Sequence, residues 1–165
     1  MFGIYKVVDY ELCDRFRYFI CEMGAYKIGD IKEFCDITLP SVGILTGINE
    51  QHLERFGSIE NTISAKFEIL QNLRPDGVGV VNLDNELVRK NLRRAKVPLI
   101  GYTVDGNQAP ECRELVQVKE WRIDNGRTEF EFELLGSTYK ASTPLLGRGH
   151  LSNVLASIAT ATLLG

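Results

Sequence analysis

The sequence predicts an α/β fold: a mainly parallel sheet flanked by helices, with an antiparallel β-meander appended to it. Three observations carry this. Between Tyr18 and Val104, short apolar runs of strand length alternate with segments whose apolar residues recur at helical spacing, as in doubly wound sheets. Past Gly106 the pattern changes to strict alternation around an Asn125-Gly126 turn, a strong hairpin signal. After Gly147-Arg148-Gly149 helical spacing returns. One domain over residues 1–165 is expected, with βα units in 18–104, the meander in 114–143 and a terminal helix in 150–164.

Taken in order, Met1 to Arg17 gives little beyond Asp9 as a helix cap. Tyr18 to Met23 is a near-continuous apolar run ending at Glu22 and Gly24, which predicts a first strand and a turn. Ile28, Ile31, Phe34, Cys35 and Thr38 predict a helix closed by Pro40. Val42 to Thr46, bounded by Pro40 and Gly47, predicts a buried strand. Ser58 is a good N-cap with Glu60 in the first turn, so a helix should run from there to about Leu73. Pro75-Asp76-Gly77 turns the chain into a strand at Val78 to Leu83. Asp84 is read as the cap of a short surface helix over Asn85 to Lys96, and Pro98 to Val104 as the fourth strand. Leu115 to Ile123, Thr128 to Leu134 and Ser137 to Thr143 predict the meander: Thr128, Phe130, Phe132 and Leu134 on one face, Glu129, Glu131 and Glu133 on the other. The last helix places Leu151, Val154, Leu155, Ile158 and Thr162 on one face, with Gly165 as its C-cap.

Composition excludes several function classes. Hydrophobic residues make up 44% and charged residues 25%, which removes disordered and fibrous classes. The net charge of −3, from 19 basic and 22 acidic residues without a basic block, gives no footprint for nucleic acid. No apolar run approaches the ~18 residues of a membrane span, and the N-terminus lacks a signal-peptide pattern, so no membrane partner and a cytoplasmic location are expected. Cys13, Cys21, Cys35 and Cys112 show no CxxC spacing, which argues against disulfide and zinc frameworks. Cys21 and Cys35 read as small core residues.

The stretch from Val42 to Leu73 contains the candidate chemistry. On a helical wheel Ile59, Ile63, Phe67, Leu70 and Leu73 form one stripe, and Lys66 falls inside it. Burying an unpaired ammonium is costly, so either the lysine stem lies on apolar surface with its amine in water, or the nitrogen faces a charged site at the strand ends. Glu22 ends one predicted strand and His52 follows another, and in open parallel sheets ligands gather beyond the carboxyl ends of strands. A carboxylate and an imidazole suit a divalent metal, and an ammonium suits phosphate.

The wording of Glu22 to Leu70 resembles the central domain of the Mur ligases, ATP-dependent amide-forming enzymes of peptidoglycan precursor synthesis. Five marks appear in order: Glu22-Met23-Gly24-Ala25, Thr46 through His52 to Ser58, Ala65-Lys66-Phe67-Glu68-Ile69, Asn82-Leu83-Asp84, and Gly147-Arg148 with Asn153-Val154-Leu155-Ala156. The wording is most similar to the branch that adds D-alanyl-D-alanine to the UDP-N-acetylmuramoyl tripeptide. The resemblance implies Glu22 and His52 as magnesium ligands, Lys66 as a carbamylated lysine supporting the second metal, and Asn153 near the adenine of ATP. It also implies a reaction through an acyl phosphate, with a UDP-muropeptide and an amino acid or dipeptide as substrates of the complete enzyme.

This sequence departs from the family pattern in places. The family's GxxGKT/S phosphate loop has no counterpart between Met1 and Cys21, and the UDP-sugar and C-terminal domains are absent from these residues. Asn and Gly are exchanged in Thr46-Gly47-Ile48-Asn49. Gly149-His150 stands where His-Asn is usual, so His150 reads as a polar residue near a helix start. The 165 residues alone are therefore expected to have no ligase activity. Two rival readings are a non-catalytic partner module that keeps the fold, and a relative that ligates glutamate to folate or builds amino-acid polymers.

Overall fold

The computed structural model describes residues 17–49 and 56–164. Their elements are α1 (Asp30–Thr38), β1 (Val42–Leu45), α2 (Ile59–Gln71), β2 (Val78–Asn82), α3 (Glu86–Lys90), a 3-10 turn (Leu92–Arg94), β3 (Leu99–Thr103), β4 (Cys112–Asp124), β5 (Arg127–Leu134), β6 (Ser137–Thr143) and α4 (Arg148–Leu164). One six-stranded sheet runs β1-β2-β3-β4-β5-β6 in sequence order. The first three pairings are parallel, from Val42↔Val78 at one edge to Thr103↔Gln117, and the last two are antiparallel.

Helices cover both faces of the parallel part, which is why its strands read as continuous apolar runs. On one side Val80, Ile100, Tyr102 and Val116 pack with Phe130 and Phe132 under Leu151, Leu155, Ala156 and Ala159 of α4. On the other, Leu45, Val81, Leu83 and Leu99 pack against Ile63, Phe67 and Leu70 of α2 and Val88 and Leu92 around α3. Successive residues of β2, Val80 and Val81, thus belong to opposite layers, as the two-residue strand period requires.

Several expectations need correction. Tyr18 to Met23 forms no strand: among the described residues no strand pairs with it, and Tyr18, Phe19 and Ile20 are 45%, 52% and 91% exposed. An apolar run signals the wish to be buried, and becomes a strand only where a neighbour accepts its hydrogen bonds. The expected antiparallel meander is present, and it is continuous with the parallel sheet. Its first strand begins at Cys112 and pairs in parallel with β3 before turning its later residues to β5.

The expected helix from Asn85 to Lys96 is two short pieces, and its cap is Asn85, whose Oδ1 accepts the Val88 N–H at 3.0 Å, rather than Asp84. Val88 and Leu92 are buried, so the segment is not merely a surface helix. On α4 the buried stripe is Leu151, Ser152, Leu155, Ala156 and Ala159, while Val154 and Ile158 flank it and Thr162 is exposed. The stripe is rotated so that Ser152, Ala156 and Ala159 face the sheet beside Leu151 and Leu155, with Ser152 next to Asn82.

Other readings hold. Ser58 caps α2 through its Oγ, which accepts the Asn61 N–H at 3.2 Å. The Asn125-Gly126 turn joins β4 to β5, with both residues at positive φ, 47° and 72°. Cys35 is a core residue, 1% exposed, whereas Cys21 is only half-buried on the irregular segment and is not a core residue. The readings of Asp9, Cys13, His52 and Gly165 fall outside the described residues.

Candidate functional site at the strand ends

The carboxyl ends of β1, β2 and β3 are joined by amide and carboxylate side chains. Asn82 ends β2, and its Oδ1 accepts the Asp84 N–H at 2.9 Å, turning the chain out of the sheet. Its Nδ2 is left to donate to the Thr46 carbonyl at 2.8 Å and to Ser152 Oγ at 3.5 Å. One side chain thus links three segments that are far apart in sequence. Asn85 Nδ2 donates to the Ile48 carbonyl at 3.0 Å, so the loop leaving β1 is held at two carbonyls before it reaches Asn49.

Asp84 is the second centre. Its side chain is 2% exposed, and a carboxylate so buried must be well supplied with donors. Thr103 Oγ1 donates to it at 2.5 Å, the Val104 N–H at 2.7 Å, Asn107 Nδ2 at 3.0 Å and the Asp105 N–H at 3.4 Å. The Arg148 guanidinium lies 3.4 Å from it and also makes a two-toothed pair with Asp105, Nε donating to Oδ1 at 2.9 Å. Arg148 holds the Asp105 carboxyl below its usual range, and the same hydrogen bond raises the pKa of the guanidinium. Arg148 is thereby committed to two carboxylates.

Between these centres lies Tyr102, fully buried, whose hydroxyl makes no hydrogen bond of good geometry. Burial pushes the phenol pKa up, the Asp84 charge adds to that, and the neighbouring Ser152 opposes it. The turn into α4 is held by Thr128, whose Oγ1 donates to the Leu145 carbonyl at 2.7 Å and accepts the Gly147 N–H at 3.3 Å. Gly147 has φ 89°, a conformation that favours glycine.

On the far side of the sheet, Glu68 of α2 is 7% exposed, and its two oxygens accept the Gly29 N–H at 2.6 Å and the Lys32 N–H at 3.0 Å. A carboxylate borrowed from α2 therefore does what the side chain of Gly29 cannot, capping the start of α1.

The predicted site residues are placed as follows. Glu22 is exposed on the irregular segment before α1. Lys66 lies in the middle of α2, half-buried, and forms no ion pair among the described residues. Asn153 is exposed on α4, next to Ser152, which touches Asn82. His52 lies outside the described residues, and among these no group of three His, Cys, Asp or Glu side chains is placed to hold a metal. His150 is exposed in the first turn of α4.

Sequence reasoning missed Glu68, Thr128 and the roles of Asp84 and Asp105. A glutamate on the buried side of an apolar stripe was the available signal for Glu68, and a threonine in a row of phenylalanines for Thr128.

This arrangement defines a class: an α/β domain with a mainly parallel sheet, in which polar side chains from the strand ends and from the start of the last helix come together at the carboxyl ends of the strands. The chain belongs to the Mur ligase family, matching the Mur ligase middle domain over residues 3–161.

Among curated relatives it is 29% identical over 149 residues to the UDP-N-acetylmuramoylalanine–D-glutamate ligase of Listeria innocua, covering 90% of this chain and 30% of that one. It is 28% identical over 148 residues to the UDP-N-acetylmuramoyl-tripeptide–D-alanyl-D-alanine ligase of Buchnera aphidicola, covering 88% of this chain and 30% of the relative. Among solved structures, MurF ligase from Thermotoga maritima in complex with ADP superposes with a TM-score of 0.73 at 28% identity, covering 87% of this chain and 32% of that one. The chain thus spans about 30% of the length of these two curated relatives. No described helix is long and apolar enough to cross a membrane.

Proposed function

We propose that these residues supply the central-domain portion of an ATP-dependent amide-forming ligase of peptidoglycan precursor synthesis, and that the 165-residue polypeptide alone does not turn over. The observation that carries this is the Asn82 side chain, which ties Thr46, the start of the loop toward His52, to Ser152, the neighbour of Asn153. Three of the five family marks therefore meet at the carboxyl ends of the strands. The ADP held by the Thermotoga maritima relative supports ATP as the nucleotide.

In this reading Asn153 faces the adenine, and Glu22, His52 and Lys66 surround the magnesium and phosphate groups. The donor chemistry fits. Lys66 is half-buried without an ion-pair partner among the described residues, and reaction of its amine with carbon dioxide, releasing one proton, converts a half-buried cation into an anion with two oxygens. Glu22 is exposed and free of ion pairs among the described residues. Bound magnesium would neutralise charge on the phosphoryl oxygens. The chain's own contribution is orientation: Asn82 and Asn85 hold the loop after β1, and Arg148 holds the start of α4.

The experiment is ATP- and magnesium-dependent phosphate release by the 165-residue chain with a UDP-muropeptide and a D-alanyl-D-alanine acceptor. No release above background is expected from the chain alone, whereas ATP should bind it, more weakly in Asn153→Ala. Robust turnover would refute the inactivity, and absence of any nucleotide binding would refute the ligase reading.

A further inference from the structure

We propose that Asp84 is the positioning residue that sets where the first turns of α4 stand over the strand ends. Arg148 is the first residue of that helix and follows a turn at Gly147, four residues separating it from the end of β6. Thr128 of β5 holds the turn before it, and the side chains that hold the helix start itself reach across from just past the ends of β2 and β3. Asp84 acts there in two ways. It faces the Arg148 guanidinium directly at 3.4 Å, and it gathers Thr103, Val104 and Asn107 into the turn that brings Asp105 to the same guanidinium.

Every group aimed at Asp84 is a donor. In Asp84→Asn one carboxylate oxygen becomes an amide NH2, a donor facing donors, and the turn and the helix start lose their common anchor. Asn153 lies five residues into α4, about 7.5 Å along its axis, so a shift of the helix start carries Asn153 with it. The consequence for nucleotide rests on the reading of Asn153 given under the proposed function. The placement of α4 does not.

The test is amide hydrogen exchange on the full 165-residue chain. In Asp84→Asn, exchange at residues 151–154 should rise about tenfold or more, beginning with the Leu151 N–H now bonded to the Gly147 carbonyl at 3.0 Å. Residues 63–70 of α2 should keep their protection. Arg148→Gln, at a side chain 45% exposed, provides a variant that folds, and should show the same local loss. Val88→Ala, in the other core layer, is the control for general destabilisation and should leave residues 151–154 protected relative to the rest of the chain.

ATP titration separates the two claims. Asp84→Asn and Asn153→Ala should each weaken ATP about tenfold, about 1.4 kcal/mol, and Val88→Ala should not. Unchanged protection of residues 151–154 in Asp84→Asn and Arg148→Gln overturns the positioning role, as does equal loss in Val88→Ala. A weaker Asn153→Ala beside a normal Asp84→Asn overturns it too. If the exchange result holds while ATP ignores Asn153→Ala, or fails to bind at all, the nucleotide reading falls and the role of Asp84 stands.

Discussion

Glu68 caps a helix it does not belong to: its carboxylate receives the Gly29 N–H at 2.6 Å and the Lys32 N–H at 3.0 Å, tying α2 to the first turn of α1. These are charge-assisted bonds at a group 7% exposed, where a lost acceptor is not replaced by water. Glu68→Gln turns one oxygen into a donor facing an N–H and should cost about 2 kcal/mol in urea unfolding. Glu60→Ala removes an exposed pair with Arg94 and should cost less than about 1 kcal/mol.

Gly77 closes the turn between α2 and β2, its N–H bonded to the Arg74 carbonyl at 2.9 Å. A Cβ there would meet Leu73 Cβ at 2.7 Å and the Arg74 carbonyl oxygen at 2.9 Å, neither of which can swing away. Gly77→Ala should therefore destabilise the fold by about 1–3 kcal/mol, read as a lower urea midpoint at unchanged m-value.

The Arg148 and Asp105 pair sets a pH signature. Because Arg148 depresses the Asp105 pKa in the folded chain, the pair's contribution is complete above the unfolded value of about 3.9 and is lost as pH falls through the lower folded value. The group is 48% exposed, so screening keeps the effect on stability small. A carboxyl carbon titration should place the midpoint of Asp105 below about 3.9, and Arg148→Gln should return it to that value.

Burial pushes the thiols of Cys35 and Cys112 up to about 11, helped at Cys35 by Asp36 and at Cys112 by Glu111. At pH 8 only about one such thiol in a thousand is ionised, against about a quarter for a free cysteine. Iodoacetamide should leave Cys35, 1% exposed, unmodified in the native chain and label it after unfolding, as read by peptide mass spectrometry.

Lys66 carries the chemical prediction. In bicarbonate-containing buffer with 13C-labelled carbon dioxide, the chain should show one carbamate carbon resonance that disappears in Lys66→Arg. A spectrum without that resonance would remove carbamylation from the proposal.

Much of this architecture was legible because burial leaves a period in the sequence. The runs at Val78 to Leu83 and Pro98 to Val104 are apolar on both faces up to Asn82 and Thr103 at their ends because α2 and α4 cover both faces, and the boundaries fell within a residue or so. Tyr18 to Met23 misled for the complementary reason: periodicity reports what a segment would bury, while a ladder needs a partner.

The strand-end chemistry was legible as wording rather than as geometry. Asp84 looked like a helix cap because Asp before a polar helical segment is a common cap. The structure gives that task to Asn85 and turns Asp84 toward β3, a choice made by donors twenty residues downstream that no local window contains. Glu68 was hidden in the same way, since its partners Gly29 and Lys32 precede it by more than thirty residues.

β4 belongs to both halves of the sheet: residues from Cys112 to Gln117 run beside β3, and those from Gln117 to Asp124 beside β5. Its thirteen residues, at most about 43 Å at about 3.3 Å each, form one continuous strand that bends at the irregularities near Arg113 and between Val118 and Glu120. A pull or twist applied to the hairpins is therefore transmitted along continuous backbone to the end of β3, where Thr103 bonds Asp84. Any strain on the hairpin arm is thus felt first at the residues that anchor Asp84.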